Sequence, residues 1–297
     1  MKTLPDTAHD PVRRDPPDLD RLRDLATQIR RDAVRMIAAN ASGHVGGALG
    51  AAEILAALYG HVMRSDPADP ERDRFVLSNG HVCAAFYAAM ARIGRLSVDE
   101  LVTFRRLDSR LQGHPARVDL PDLVETSTGP LGQGFSVANG LALAARLDGR
   151  SSQVFCLVGD GEMQEGQVWE ALMTAHQYRL MNVTLIIADN GLQIDGEVEH
   201  IKSLQPLADR LAAFGWDVQE IDGHDLAALV QVLEGSRTSD RPTAVIAKTI
   251  MAKGVPFMEG LAMWHGKAPT LDQARQALAD IGPSAGYADF PVAGGIL

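Results

Sequence analysis

The chain has 297 residues, of which 46% are hydrophobic and 22% charged, the composition of a globular unit large enough to bury a sizeable core. A formal net charge of −10 argues against a nucleic-acid surface, whose footprint is a basic face. No apolar run is long enough to span a bilayer, and the first twenty residues lack an apolar signal core, so the expectation is a cytoplasmic protein with no membrane partner.

Residues 1–17 are rich in proline and charge, which predicts a loose N-terminal arm; residues 18–297 predict one domain. From Leu19 to Asn40, Leu22, Leu25, Ile29, Met36 and Ile37 recur at helical spacing. Asn40 to Gly47 reads as a glycine-rich break, and Ala48 to Met63 as a second helix. Arg74 to Leu77 is a strand candidate, followed by helices over 81–94 and 98–106. Residues 108–134 carry little periodicity and many Gly, Pro, Ser and Thr; a loop of that length in a compact domain is usually functional. A small-residue helix over 134–147 precedes the clearest strand, Gln153 to Val158. Then come a helix near Val168 to Tyr178 and a strand at Val183 to Ala188. Two further pairs complete the pattern: a helix over 205–214 with a strand at Trp216 to Glu220, and a helix over 225–234 with a strand at Ala244 to Lys248. The alternation predicts an α/β fold, a doubly wound and mostly parallel sheet with helices on both faces.

Such sheets bind ligands at the carboxyl ends of their strands. Gly159-Asp160-Gly161 follows one strand directly, and Asp189-Asn190-Gly191 follows the next. The interval holds one crossover helix and one strand, so Asp160 and Asn190 are expected side by side. A carboxylate and an amide oxygen are hard ligands, and Mg2+ commonly completes its shell with phosphate oxygens and water. Glycines at 159 and 161 would let a diphosphate approach the backbone. Read without that chemistry, each segment is a tight turn. The cysteines, Cys83 and Cys156, lie in apolar runs and read as buried thiols. His44, His81, His114 and His265 each adjoin a glycine in an irregular segment, which suggests a shared polar pocket.

The order of motifs resembles the N-terminal half of the transketolase family. ASGHVGG (41–47), LSNGH (77–81), GHP (113–115), TGPLGQG (128–134), GDGEMQEG (159–166), DNGLQIDG (189–196), DGHD (222–225), KTIMAKGVPFME (248–259) and WHGKAP (264–269) follow the family's sequence. The resemblance implies the thiamine-diphosphate-binding fold and thiamine diphosphate with Mg2+ (or Ca2+) as cofactors. It assigns the metal to Asp160, Asn190 and the Leu192 carbonyl, and the diphosphate to the Gly161 amide and His81. It places Gly129, Pro130 and Leu131 against the cofactor rings, His44 and His114 against the substrate, and His265 against both. Glu165 reads either as a solvated first-turn helix residue, where an acid suits the dipole, or as a link between paired active sites across a subunit contact. His61, His176, His200 and the DGHD turn read as structural.

The resemblance also implies a reaction and a partner. The reaction is transfer of a two-carbon ketol unit from a ketose (phosphate) to an aldehyde acceptor. A full family chain is roughly twice this length, and its other half carries the glutamate that activates the cofactor. The expectation is therefore a split enzyme, silent alone and active with a separate C-terminal subunit in an α2β2 heterotetramer. One departure is Val45, where the family usually has proline, which suggests a looser loop or a non-standard substrate. Other thiamine-diphosphate enzymes share the GDG-to-Asn signature, namely the α subunit of 2-oxoacid dehydrogenases and deoxyxylulose-phosphate synthase; TGPLGQG and WHGKAP favour transketolase. A non-catalytic regulatory paralogue is opposed by the intact Asp160, Asn190 and four histidines. A nicotinamide-binding Rossmann domain is opposed by the lack of a GxGxxG after the first strand.

Overall fold

The computed structural model describes residues 15–292. The arm expected over 1–17 therefore lies almost wholly outside the described residues. Chain order is α1 (Leu19–Ala39), α2 (Val45–Gly50), α3 (Ala52–Ala57), β1 (Arg74–Leu77), α4 (Cys83–Arg92), α5 (Gln133–Leu147), β2 (Val154–Gly159), α6 (Gly166–Gln177) and β3 (Val183–Asp189). A small hairpin of β4 (Leu192–Gln193) and β5 (Gly196–Glu197) follows, then α7 (Val198–Lys202), α8 (Leu207–Ala213), β6 (Asp217–Asp222), α9 (Leu226–Gly235), β7 (Thr243–Lys248) and α10 (Leu271–Ile281).

Among the described residues, the main sheet has five strands in the order β1-β2-β3-β7-β6, and every neighbouring pair is parallel. Parallel strands need crossovers, and these place helices on both faces. The strand sequences show why two cores form. Along β2, Phe155 and Leu157 point into one core, while Val154, Cys156 and Val158 point into the other. In β3, Ile186 and Ala188 join the first core, and Val183, Leu185 and Ile187 the second. The first core is closed by α1, α2, α3, α4 and α9, and the second by α5, α6 and α8. Both faces of each central strand are thus apolar, which is why VFCLV and VTLIIA read as continuous hydrophobic runs.

The glycine-rich break differs from expectation. Only its first part is irregular, because α2 begins at Val45, inside the GHVGG motif, with His44 in extended geometry as its cap. The glycines serve close packing within a helix. A Cβ on Gly46 would stand 2.6 Å from the Met251 side chain and 2.9 Å from the Trp264 carbonyl. Val45 is fully buried, so the valine that replaces the family's usual proline sits in an ordered first turn and not in a looser loop. The helix expected over 48–63 is also divided, at Ala51, and ends in a wide turn in which the Met63 N–H donates to the Leu58 carbonyl at 2.8 Å. Residues 108–132 form no helix or strand, as their composition implied.

Candidate active site

Strand register places the polar segments together. Gly159 pairs with Ala188, so Asp160 and Asn190 emerge from adjacent strands at the same sheet edge. Asp160 is buried. Its Oδ1 accepts the Gly161 N–H at 2.9 Å and its Oδ2 the Gly191 N–H at 2.6 Å. Burial, and next the Asp189 carboxylate beside it, push the Asp160 carboxyl up to about 7 despite those two donors. Lys248 Nζ lies 2.5 Å from Asp189 Oδ2. Asn190 Oδ1 accepts the Leu192 N–H at 2.9 Å.

Asp160, Asn190 and Leu192 line one cavity of about 350 Å³ together with Gly161, Glu165 and Gln193. Each carboxylate oxygen of Asp160 spends one lone pair on an amide and keeps another. A buried carboxylate whose bonded partners here are uncharged amides is what a hard divalent cation would compensate. Among the described residues, no three His, Cys, Asp or Glu side chains converge as a metal cluster. The ligand set expected from the sequence contains only one such side chain, the others being an amide oxygen and a peptide carbonyl, and both fit a hard cation.

The same cavity receives all four histidines. Ring centroids are 5.2 Å apart for His44 and His81, 5.8 Å for His44 and His265, 5.1 Å for His81 and His265, and 6.4 Å for His44 and His114. Burial, then the charge of neighbouring rings, lowers His81 to about 3. Burial, then His265, Arg105 and His114, lowers His44 to about 4. Burial also lowers His114 and His265, and Arg105 adds to the effect on His114. All are thus neutral near pH 7, and each offers one N–H donor and one lone pair. Nδ1 of His44 and of His265 is buried without a hydrogen-bond partner, as are Asn79 Oδ1 and Gln193 Oε1. Unpaired buried polar atoms that converge on a cavity fit a polar ligand that would satisfy them.

The remaining expected residues divide. Gly129 and Leu131 line the cavity, whereas Pro130 is exposed between them and outside the lining. The Gly161 amide already donates to Asp160, so a diphosphate oxygen would have to share it. Glu165 caps α6 without a side-chain bond and is exposed, at the cavity rim. Cys83 and Cys156 are free and buried, and burial pushes the Cys83 thiol up to about 12. His224 of the DGHD turn accepts the Ile250 N–H at 2.9 Å and faces Glu53 Oε2 at 3.0 Å, a structural bracket.

Three residues of this site do not stand out in the sequence. Asn79 and Gln193 are inconspicuous inside LSNGH and DNGLQIDG. Glu162, two residues after Asp160, is buried. Its Oε1 accepts the Ser78 hydroxyl at 2.5 Å and the Gly132 N–H at 2.8 Å, and its Oε2 accepts the Gly159 N–H at 3.3 Å. Burial raises its carboxyl to about 7. A second acid two residues after Asp160, within the glycine-bounded GDGEMQEG segment, is the signal that could have found it.

Known proteins match most of this chain's length. The family described as transketolase, thiamine diphosphate binding domain, matches residues 22–292. One of the named subunits of an apulose-4-phosphate transketolase from Actinobacillus succinogenes is 40% identical over 266 residues, covering 88% of this chain and 96% of that relative. A 6-deoxy-6-sulfo-D-fructose transketolase subunit, SqwG, from a Clostridium species is 40% identical, with 88% of this chain and 96% of its own length covered. The crystal structure of transketolase from Campylobacter jejuni superposes with a TM-score of 0.84 at 33% identity. It covers 94% of this chain, which spans 45% of that one.

Proposed function

The chain belongs to the transketolase thiamine diphosphate-binding domain family, and from that premise we propose that it is the N-terminal subunit of a two-chain transketolase. Its activity is thiamine-diphosphate-dependent transfer of a two-carbon ketol unit from a ketose, or ketose phosphate, to an aldehyde. The observation that carries the proposal is the convergence of Asp160, Asn190, Leu192 and four histidines on one cavity. Relatives matched along nearly their whole length are themselves named as subunits, which supports a separate partner.

Asp160, Asn190 and the Leu192 carbonyl would hold Mg2+ (or Ca2+), and with it the diphosphate. The Gly161 amide and His81 would bind the diphosphate oxygens. Gly129 and Leu131 would flank the rings, with Pro130 stiffening the segment between them. Thiamine diphosphate, when bound, supplies the nucleophilic carbon and the electron sink that ketol transfer needs. His44, His114 and His265 would orient the sugar. A neutral imidazole can donate its N–H to a carbonyl oxygen and take up a proton from a hydroxyl. Glu165 would meet the partner at the cavity rim. We assign activation of the cofactor to a separate C-terminal subunit, in keeping with relatives named as subunits, and place the two in a cytoplasmic α2β2 heterotetramer.

The test is reconstitution with thiamine diphosphate and Mg2+, scoring ketol transfer across a panel of ketose donors and aldehyde acceptors. Turnover by this chain alone would overturn the split site. A reconstituted complex that binds cofactor but transfers no ketol unit would overturn the reaction.

A further inference from the structure

Arg105 lies outside the cavity lining, yet it bonds to both of the segments that carry His44 and His114. Its Nη1 donates to Ser42 Oγ at 2.9 Å, two residues before His44. Its Nη2 reaches the Gly113 carbonyl at 3.4 Å, one residue before His114. The guanidinium lies flat on Gly113, where a Cβ would collide with it. Its carbon stands 5.6 Å from the centroid of the Phe104 ring. Phe104 is buried, and a Cβ on Gly43, the residue before His44, would stand 3.1 Å from that ring. Gly113 thus makes room for Arg105, and Gly43 for Phe104 together with Ile37, whose Cγ1 would stand 2.8 Å from a Cβ there.

The backbone supports the same reading. Arg105 is a non-glycine residue in the left-handed region, at φ 58, and its N–H donates to the Leu111 carbonyl at 2.8 Å. Such geometry persists only where the surroundings enforce it, and it gathers at functional sites. Its Nε is buried without a hydrogen-bond partner, so the side chain stays where it is despite an unmet donor.

We propose that Arg105 is a positioning residue for ketol transfer, a planar clamp that ties the loop carrying His44 to the loop carrying His114 and so sets the distance between the two sugar-facing imidazoles. This deepens the reading of the cavity as a ketol-transfer site and rests on it. The clamp has a second consequence. The groups facing His44 are His81, His114, His265 and Arg105. Arg105 is the fixed cation among them, and its charge helps keep His44 and His114 neutral. A lysine would keep the charge but not the two-pronged planar contact.

The experiment compares Arg105→Met and Arg105→Lys. In the cofactor-loaded complex with the C-terminal subunit, Arg105→Met lowers kcat/KM for the ketose about 10- to 100-fold, chiefly through KM, because small misplacements of orienting groups cost this much. Affinity for thiamine diphosphate stays within about twofold, since Arg105 makes none of the metal or diphosphate contacts. Arg105→Lys does not restore KM. In the full chain alone, NMR titration of the His44 and His114 rings moves to higher pH in Arg105→Met and stays near wild type in Arg105→Lys. Unchanged kcat/KM with unchanged titrations overturns the proposal, and so does a parallel loss of cofactor affinity, which marks a merely structural role. Should Arg105→Met not fold, Ser42→Ala removes the bond to the His44 loop, and an unaltered KM there overturns the clamp. A wild-type complex that transfers no ketol unit sinks the assigned reaction, while the histidine titrations still decide what Arg105 does.

Discussion

Glu162 Oε1 accepts the Gly132 N–H at 2.8 Å, so the segment that follows the GDG turn is bonded to the residue that opens α5. With Ser78 on one oxygen and Gly159 on the other, a single buried carboxylate joins three of the loops that form the cavity. Gly132 is held at φ 81, and a Cβ there would stand 2.8 Å from the Glu165 side chain.

This brace predicts that Glu162→Ala destabilises the chain. Up to three buried donors lose their acceptor, at about 1–3 kcal/mol for each group left unsatisfied. Thermal melting should fall by several degrees, with weaker cofactor binding measured alongside. Glu162→Gln keeps one acceptor oxygen and should recover part of the loss. A melting temperature equal to wild type for Glu162→Ala would refute the brace.

Asp160→Ala should abolish Mg2+-dependent binding of thiamine diphosphate, a loss of at least about 100-fold on calorimetric titration. Wild-type affinity in the variant would remove Asp160 from the metal site.

The pH dependence of cofactor-free stability has a definite sign. Asp160 is raised from 3.8 to about 7, so between those values the folded state binds more protons than the unfolded state. Its contribution is present in full below about pH 4 and is lost as pH rises through about 7. Asp160→Asn removes this titration. The stability of wild type relative to Asp160→Asn should therefore decline from pH 4 to pH 8. Paired urea denaturation series at each pH would show it, and a difference that rises with pH would contradict the assignment.

Gly46→Ala should cost about 1–3 kcal/mol through overpacking against Met251 and the Trp264 carbonyl, with neither neighbour able to withdraw freely. The Trp264 carbonyl immediately precedes His265, so the variant should also raise KM for the ketose. Differential scanning calorimetry and steady-state kinetics of the complex separate the two effects.

Val45→Pro tests the family departure. Val45 is the first residue of α2, where a helix needs no N–H and helical backbone is compatible with proline, and His44 before it is extended. The substitution should be tolerated or raise stability by about 0.4–1 kcal/mol. A loss above about 2 kcal/mol would show that the buried valine side chain, and not the backbone, is what this position requires.

Much of the fold was legible in the chain. Buried parallel strands must be apolar on both faces, so VFCLV and VTLIIA announced themselves, and the polar triplets after them marked the edge that borders the cavity. The motif order carried the family, and with it the residues proposed to hold a metal, because groups at strand ends are local in sequence. The α2 segment departs from its expected form because packing overrides glycine's usual role as a breaker: Met251 and Trp264 crowd Gly46 from segments distant in the chain. Glu162 and Arg105 could not be weighed from sequence for the same reason. Ser78, Gly132 and Gly159 meet Glu162, and Ser42 and Gly113 meet Arg105, only after the loops have been folded over the sheet edge. The sequence by itself determined which strands form, which residues reach the binding edge and which family's chemistry they match, since these depend on periodicity and short spacings. Only the tertiary structure decided how those residues are held and charged, because burial, ring-to-ring distance and the sharing of donors are properties of segments far apart in the chain.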